Sequence, residues 1–439
     1  MFTQSFQGWS NHLASVYQCP SYLTNLLSRQ IGAVYSHRGR ICDGAKTKSI
    51  LSAAGSVLTH VGNGFNGYSG DDGPATSAKM RSPQGMAIHS STGDLYISDR
   101  HNNLVRMVSK STGIITTVVG NGLYGYNGDG MLATSSRLSY PTDVATDPVT
   151  GDLYIADSYN SIIRLVTKST GIISTIAGTG AMGYSGDGGL AVEATLSYPA
   201  GIDVDPSTGN LYIADTFNNV IRMITKSTGI ITTIAGLRLL GYDGDGGLAT
   251  LASFYSPSGI AVAAVTGDVY VADTGNSMIR MITMSTGIVT TIAGTLASGY
   301  SGDGGPATSA MLRGPSGIAI DVLTGNIYIS DRGNNAIRMI TKSTGMMTTV
   351  AGTSRKGYSG DGGPAALAML SDPYSIVIDA SSGMMYIADA DNTVIRSVVL
   401  TVDVTSRPSA SPVARPPTTV SSIPTAAVPS IAGETRYDM

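Results

Sequence analysis

The chain has 439 residues and a formal net charge of −3, and charged residues make up 13% of it. This composition, with 55 Gly, is typical of a compact, turn-rich β protein rather than a disordered one. The weakly acidic balance lacks the basic surface that nucleic acid requires, so we expect no nucleic-acid partner. The sequence holds no apolar run long enough to cross a membrane, so we also expect no membrane insertion.

Residues 1–50 precede the repeats described below and are predicted to form a separate N-terminal extension. They lack the basic segment followed by an unbroken apolar core that marks a secretory signal. The two cysteines, Cys19 and Cys42, lie here and could form a disulfide bond or remain free thiols. These features leave the cellular compartment undetermined.

Two short phrases recur along the chain at a constant interval of 58 residues. The first ends in the Asp of YISD, YIAD or YVAD, at Asp99, Asp157, Asp215, Asp273, Asp331 and Asp389. The second is G-Y-x-G-D, with its Tyr at Tyr68, Tyr126, Tyr184, Tyr242, Tyr300 and Tyr358. Such a period predicts one supersecondary unit copied six times.

The third copy shows the predicted content of one unit. Its β-prone segments are a (Gly201–Asp205), b (Leu211–Asp215), c (Val220–Thr225) and d (Ile230–Ala235), separated by turns rich in Gly, Asn, Ser and Pro. Short connections between successive strands favour an antiparallel meander. Four antiparallel strands repeated around an axis make the blade of a β-propeller.

The two ends of the repeat region predict how the ring closes. A d-like segment, Val57–Val61, precedes the first full copy, whereas the last copy has a, b and c strands but no d strand. We therefore predict an all-β, six-bladed β-propeller over residues 51–402, whose last blade is completed by the N-terminal d strand; closure leaves no free sheet edge. Residues 403–439, rich in Pro, Ser and Thr, are predicted to be a disordered tail.

The repeat resembles the NHL repeat. The segment PSGIAIDVLTGNIYISDRGNNAIRMI (Pro315–Ile340) shows the pattern, and the connector SGDGGPATSA is similar to that of NHL propellers in teneurin-like and cell-surface proteins. The resemblance implies a six-bladed propeller that binds proteins, RNA or glycans, and it favours a secreted or cell-surface location. Some relatives are enzymes, so the family by itself does not fix the function.

Residues that recur in every copy are interpreted as scaffold. The Arg of I-R-x-I follows each Asp of the first phrase by seven residues, at Arg106, Arg164, Arg222, Arg280, Arg338 and Arg396. A second Asp series lies in the G-Y-x-G-D phrase, at Asp71, Asp129, Asp187, Asp245, Asp303 and Asp361. We expect this Asp to form a turn and then cap the short helical run that follows, with calcium binding as the alternative.

Candidate binding residues lie where the copies differ, on the face formed by the d–a connectors and the b–c turns. Long loops on one face of a propeller usually form its binding surface. Blades 2 to 4 present an aromatic arc there, and blades 1 and 5 present arginines and a histidine. The predicted binding residues are Arg81, Arg100, His101, Tyr140, Tyr159, Tyr198, Phe217, Tyr255, Arg313 and Arg332.

These residues predict a non-enzymatic scaffold that binds a protein or peptide, or alternatively a glycan, and acts as a monomer without a cofactor. The competing hypothesis is a metal-dependent hydrolase or lactonase with Asp143 and Asp203 at the central channel. The repeats hold few histidines, which does not favour a zinc site. A third hypothesis is a structural module that holds the tail away from a surface.

Overall fold

A computed structural model describes residues 55–400, which form a six-bladed β-propeller. Residues 1–54 and 401–439, which include Cys19, Cys42 and the whole of the predicted extension and tail, lie outside the described residues. Each blade has four antiparallel strands, as predicted.

The strands are numbered along the chain and lettered from the axis outward. The innermost a strands are β3 (Pro83–Ile88), β8 (Asp143–Thr146), β12 (Pro199–Val204), β16 (Ile260–Val262), β20 (Ile318–Ile320) and β24 (Pro373–Asp379). The b strands are β4 (Leu95–Asp99), β9 (Leu153–Asp157), β13 (Leu211–Asp215), β17 (Val269–Asp273), β21 (Ile327–Asp331) and β25 (Met384–Asp389). The c strands are β5 (Leu104–Val108), β10 (Ile162–Thr167), β14 (Val220–Ile224), β18 (Met278–Thr283), β22 (Ala336–Ile340) and β26 (Val394–Val399). The outermost d strands are β6 (Ile114–Val119), β11 (Ile172–Ala177), β15 (Ile231–Ala235), β19 (Ile288–Ala293), β23 (Met347–Ala351) and β1 (Val57–Val61).

Short segments complete the blades. The connector residues β2 (Gly73–Pro74) and β7 (Met131–Leu132) add to the outer edges of blades 1 and 2. Each connector also holds a 3₁₀ helix, at Ala75–Ser77, Ala133–Ser135, Ala191–Glu193, Ala249–Leu251, Ala307–Ser309 and Ala365–Leu367. Each b–c turn is a 3₁₀ helix, at Arg100–Asn102, Ser158–Asn160, Thr216–Asn218, Thr274–Asn276, Arg332–Asn334 and Ala390–Asn392.

The ring closes as predicted, because strand β1 from the N-terminal side pairs with β26 of the last copy. Val57 lies opposite Val398 and Thr59 lies opposite Arg396. Val57 is buried in the core between blades 5 and 6, and Val61 in the core between blades 6 and 1. The first strand thus contributes to two cores as well as to one sheet.

Hydrophobic burial lies mainly between neighbouring blades. One cluster joins Tyr154 and Ile163 of blade 2 to Ile213 and Ile231 of blade 3, and equivalent clusters fill the other junctions. Successive side chains of a strand point to opposite faces, and because inner strands such as β9 and β13 are buried along their whole length, both faces of each sheet contribute to these cores. Because each blade packs on its two neighbours, turn side chains outside these cores can differ from copy to copy.

Candidate binding face

The Asp that ends each b strand organises the b–c turn. Its Oδ1 accepts the backbone N–H of the residue 18 positions earlier at 2.6–2.8 Å, and its Oδ2 accepts the Asn three residues later at 2.8–2.9 Å. The same Asn also donates to the Gly carbonyl of the G-Y phrase at 2.7–2.8 Å. Burial raises the pKa of Asp99 to about 7, although these hydrogen bonds and the charge of Arg106 act in the opposite direction. These contacts explain why Asp and Asn recur in every copy.

The recurrent Arg lies fully buried beneath the connector. In every blade its Nη2 pairs with the second Asp series, as in Arg222 with Asp187 at 2.7 Å and Arg106 with Asp71. The guanidinium also lies 4.9–5.2 Å from the ring centre of the Tyr in the G-Y phrase. The predicted capping role of Asp71 and its equivalents is wrong, since no side chain caps the following 3₁₀ helices. A buried cation needs a counter-charge, and this Asp supplies it.

The b–c turns and the ends of the connectors lie at the same end of the propeller. In each blade the second residue of the turn donates its backbone N–H to the carbonyl of the residue 20 positions earlier, in the segment before strand a, at 2.8–3.2 Å. His101 donates to Arg81, Tyr159 to Ser139 and Phe217 to Ser197. We call these turns, the residues before strand a and the first turn of each connector the upper face, and the a–b and c–d turns the lower face.

Four aromatic rings of the upper face form a continuous chain across blades 2 and 3. Tyr140 lies 4.6 Å from Tyr159, Tyr159 lies 5.2 Å from Tyr198, and Tyr198 stacks on Phe217 at 4.7 Å between ring centres. His101 of blade 1 adds an edge contact to Tyr140 at 5.5 Å. Tyr159 and Phe217 remain 50% and 59% exposed, so the chain of rings presents an apolar surface to solvent.

Arg100 crosses this aromatic cluster from blade 1. Its guanidinium lies 5.1 Å from the centre of the Tyr140 ring and 5.7 Å from that of Tyr159. Its Nη2 donates to the Tyr198 hydroxyl and its Nη1 to His101 Nε2, both at 2.8 Å. Burial and the charges of Arg100 and Arg81 lower the pKa of His101, so the neutral imidazole can accept this bond. The structure therefore brings together residues of blades 1, 2 and 3.

Two rings of the cluster are held in an unusual backbone conformation. Tyr140 and Tyr198 have φ angles of 49° and 53°, in the left-handed region that bulky residues rarely adopt. The equivalent positions in other blades carry Ser82, Ser256, Gly314 and Asp372. All six positions have a positive φ, from 46° to 56°, so the repeat sets this conformation and a bulky Tyr is a costly residue to place there.

The remaining predicted residues lie on the upper face but outside the cluster. Tyr255 is 44% exposed and lies over Gly275, where an added Cβ would be 2.4 Å from the Tyr255 ring. Arg313 lies over Gly333 in the same way. Arg81 is exposed, and Arg332 forms a bidentate ion pair with Asp372 at 2.6 and 2.9 Å. Contacts between rings therefore end at Phe217 and do not extend to Tyr255, the last ring of the predicted arc.

Sequence reasoning missed Tyr374, which lies at the upper end of the channel. The Arg332 guanidinium lies 5.1 Å from its ring centre. Burial raises the pKa of its hydroxyl to about 12, against the charges of Arg332 and Arg100. A signal was present, because the other copies have Gln84, Thr142, Ala200, Ser258 and Ser316 at this position. One large ring among smaller residues around an axis indicates a side chain that closes the channel.

Charge is segregated between the two faces despite the small net charge. The cationic side chains of the upper face are Arg81, Arg100, Arg238, Arg313, Arg332, Arg355 and Lys356. Apart from the buried Asp that ends each b strand, the carboxylates of this face within residues 55–400 are Asp372 and Asp391, which pair with Arg332 and Lys356. The lower face is acidic, with Asp94, Asp147, Asp152, Asp205, Asp268, Asp321 and Asp379 against Lys110, Lys168, Lys226 and Lys342. The upper face is therefore the electropositive one.

Asp143 and Asp203 lie on inner strands beside the axial channel, a cavity of about 250 Å³. Each carboxylate accepts two backbone N–H groups, one of them from the next blade: Ile202 at 3.0 Å for Asp143 and Val262 at 2.8 Å for Asp203. Burial raises the pKa of Asp143 to about 8 and that of Asp203 to about 6. These bonds join neighbouring inner strands, which favours a structural role over the proposed catalytic one.

Two features of residues 55–400 bear on the other hypotheses. No group of three or more His, Cys, Asp or Glu side chains is placed to hold a metal ion within residues 55–400. In the same range no helix has the length and apolar character needed to cross a membrane.

The repeated network and closed ring define one class, the six-bladed β-propeller built from a single repeat type. The family described as Teneurin NHL domain matches residues 22–182, and the family described as NHL repeat matches residues 254–280. Over these two segments the chain is therefore similar to NHL-repeat β-propellers.

Relatives share the repeat but are much longer proteins. Teneurin-1 of Mus musculus is 32% identical over 238 residues, which cover 49% of this chain and 8% of that protein. Protein SUPPRESSOR OF QUENCHING 1, chloroplastic, of Arabidopsis thaliana is 28% identical over 303 residues, which cover 67% of this chain and 28% of that protein. A crystal structure of a Bacteroides thetaiotaomicron protein of unknown function aligns with a TM-score of 0.57 and 21% identity, covering 78% of this chain and 75% of that one. This last likeness concerns the fold alone.

Proposed function

We propose that this propeller is a non-enzymatic scaffold that holds a protein or peptide partner on its upper face. The observation that carries the proposal is the chain of rings from Tyr140 to Phe217, with Arg100 set into it. Clustered Tyr, Phe and Arg side chains are the residue types that dominate binding energy at protein interfaces. The strained backbone of Tyr140 and Tyr198 supports a selected role for these rings.

The test removes the two most exposed rings of the cluster. Replacing Tyr159 and Phe217 with Ala should abolish partner capture, because hot-spot side chains each contribute about 2 kcal/mol or more to binding. The melting temperature should change by less than about 4 °C, because both rings are largely exposed. Capture is measured by pull-down with the full chain, followed by titration of the purified partner.

A matched control lies on the lower face. Val265 and Leu323 are 94% and 64% exposed apolar residues of the a–b turns, and replacing both with Ala should leave capture unchanged. A large loss of stability in the Tyr159/Phe217 variant would show that these rings are core instead. Loss of capture in the lower-face variant would show that the partner binds elsewhere.

A further inference from the structure

Two arginines at equivalent positions on the upper face have opposite surroundings. Arg100 and Arg332 are each the first residue of a b–c 3₁₀ turn, in blades 1 and 5. Arg332 reaches the next blade, where Asp372 receives its Nε and Nη2 in two parallel bonds of 2.6 and 2.9 Å. Burial disfavours its charged form, but Asp372 outweighs this and raises the pKa of Arg332. Its charge is thus neutralised within the chain.

Arg100 meets a ring where Arg332 meets a carboxylate. The residue equivalent to Asp372 in blade 2 is Tyr140, and the guanidinium lies over its ring. Two of the five N–H donors of Arg100 bond to neutral acceptors on His101 and Tyr198, and no residue of 55–400 bonds to its buried Nε. No described carboxylate forms an ion pair with it. A partly buried cation whose partners are all neutral would be stabilised by an anion at this position.

Other arginines of the upper face also lack a counter-charge among residues 55–400, but they lie far apart. Arg81, Arg238, Arg313 and Arg355 also form no ion pair with residues 55–400. They are spread over several blades, so they do not build the dense cationic patch that a polyanion or an anionic membrane selects. A single guanidinium inside an aromatic cluster suits a single planar carboxylate beside an apolar side chain.

From this lack of a counter-charge we propose that the partner presents an acidic peptide segment, whose carboxylate pairs with Arg100 while a neighbouring apolar side chain packs on Tyr159 and Phe217. This inference rests on the proposed binding function and specifies the chemistry of the partner. The ion pair supplied by the partner replaces the one that Asp372 supplies to Arg332 within the chain.

The experiment compares two terminally blocked decapeptides on the full chain by fluorescence anisotropy. One alternates Glu and Phe, and the other has Gln in place of every Glu. The Glu peptide should bind about tenfold tighter or more, as expected for a charge-assisted hydrogen bond, and this preference should weaken at high salt. Arg100→Gln should remove the preference. Tyr140→Asp should remove it as well, because it supplies a carboxylate within the chain and copies the Arg332 and Asp372 pair.

Controls separate the possible results. Lys342→Gln removes a lower-face cation that forms no ion pair within residues 55–400 and should leave the preference intact. Equal affinity for the two peptides, or a preference that survives Arg100→Gln in a variant with unchanged melting temperature, would overturn the inference while leaving the proposed binding function standing. No binding of either peptide would also overturn it. Arg100-dependent binding of a heparin oligosaccharide or of phosphatidylserine vesicles without binding of the Glu peptide would assign the arginine to a glycan or lipid instead.

Discussion

The two ends of the propeller are stabilised in different ways. At the upper end, the same bonds between Asp, Asn, Arg and Tyr recur inside all six repeats. At the lower end, a Lys of the c–d turn reaches the a–b turn of the preceding blade, as Lys110 does to Asp379 at 2.6 Å and Lys226 does to Asp147. The lower contacts join blades, whereas the upper bonds build each blade.

The contacts from Lys to Asp at the lower end do not occur between every pair of neighbouring blades. Lys168 faces His89 instead of an acid, and Ala263 occupies the position that would face Lys342. The upper bonds show no such gaps, because they satisfy a buried guanidinium and a buried carboxylate that would otherwise be unpaired. The comparison teaches that a contact repeats in every copy when its loss leaves a buried charge, and varies when its loss exposes a charge to water.

The largest expected effect comes from removing one outer strand. Deleting residues 1–64 removes β1, which fills two cores and whose Thr59 bonds to Tyr358 at 2.6 Å and to Asp361 at 2.7 Å. We expect unfolding or aggregation, because the sheet of blade 6 would have a free edge. Deleting residues 1–50 should leave a folded protein. Soluble yield and the cooperativity of melting check both, and a soluble, cooperatively melting chain that starts at residue 65 would contradict this closure.

The next largest effect is expected from removing the buried arginine of the upper end, with its hydrogen bonds and ion pairs, in one blade only. Arg222 donates to Thr195 O at 3.0 Å, Ser185 O at 2.9 Å and Asp187 at 2.7 Å, and it is fully buried. Arg222→Ala should lower the free energy of unfolding by about 3–5 kcal/mol, because it removes the cation that lies 3.8 Å from the fully buried carboxylate of Asp215. Urea denaturation measures the change.

The control for this variant is an exposed arginine on the same ring. Arg238 lies 4.5 Å from the centre of Tyr184, which also contacts Arg222 at 5.0 Å. Arg238→Ala should cost less than about 0.5–1 kcal/mol, because the interaction is open to solvent. Similar losses in the two variants would show that contact with Tyr184, rather than the buried ion pair, stabilises the blade.

The repeat made the frame of this fold predictable from sequence. The segments Leu211–Asp215 and Val57–Val61 were predicted to the residue, and the bond from Asp to the Asn-rich turn is present. The capping role of Asp71 failed, because local position favoured a helix cap whereas a buried guanidinium from another strand attracts the carboxylate. Sequence position cannot reveal that competition.

The binding face was predictable only in part. The period placed Arg100, Tyr140 and Tyr159 on one face, and the structure brings them into contact. The reach of Arg100 to Tyr198, two blades away, depends on side-chain direction and on the curvature of the ring. No spacing in the sequence encodes that distance, and the same holds for the ion pair of Arg332 with Asp372.

A third test concerns the inner strands between the two faces. Asp143 has a pKa of about 8 in the folded chain against an ordinary value of 3.8, because it is buried. The folded state therefore binds more protons than the unfolded state between about pH 4 and 8, and stability falls as pH rises through this window. Asp143→Asn should flatten this dependence and stabilise the protein by about 1–3 kcal/mol more at pH 8 than at pH 5.

Asp203→Asn serves as the comparison for this pH dependence. The pKa of Asp203 is about 6, so the pH range in which the folded state holds the extra proton ends at lower pH than for Asp143. Asp203→Asn should therefore change the slope of stability against pH mainly between about pH 4 and 6. Urea denaturation at several pH values measures both slopes. A slope that Asp143→Asn leaves unchanged would mean that this carboxyl titrates normally in the folded chain.

The smallest expected effect comes from a substitution that supplies the missing carboxylate at one junction of the lower face. Lys342 lies across Gly325 of its own blade, as Lys110 lies across Gly93 on its way to Asp379. Ala263→Asp would place a carboxylate where Lys342 can reach it, and we expect a gain of about 0.5 kcal/mol that disappears in 1 M salt. Ala263→Asn has nearly the same shape without the charge and should give no gain. A gain in both variants, or one that persists in high salt, would show that packing rather than charge stabilises this junction, and the lower end would then resemble the upper end more closely than its gaps indicate.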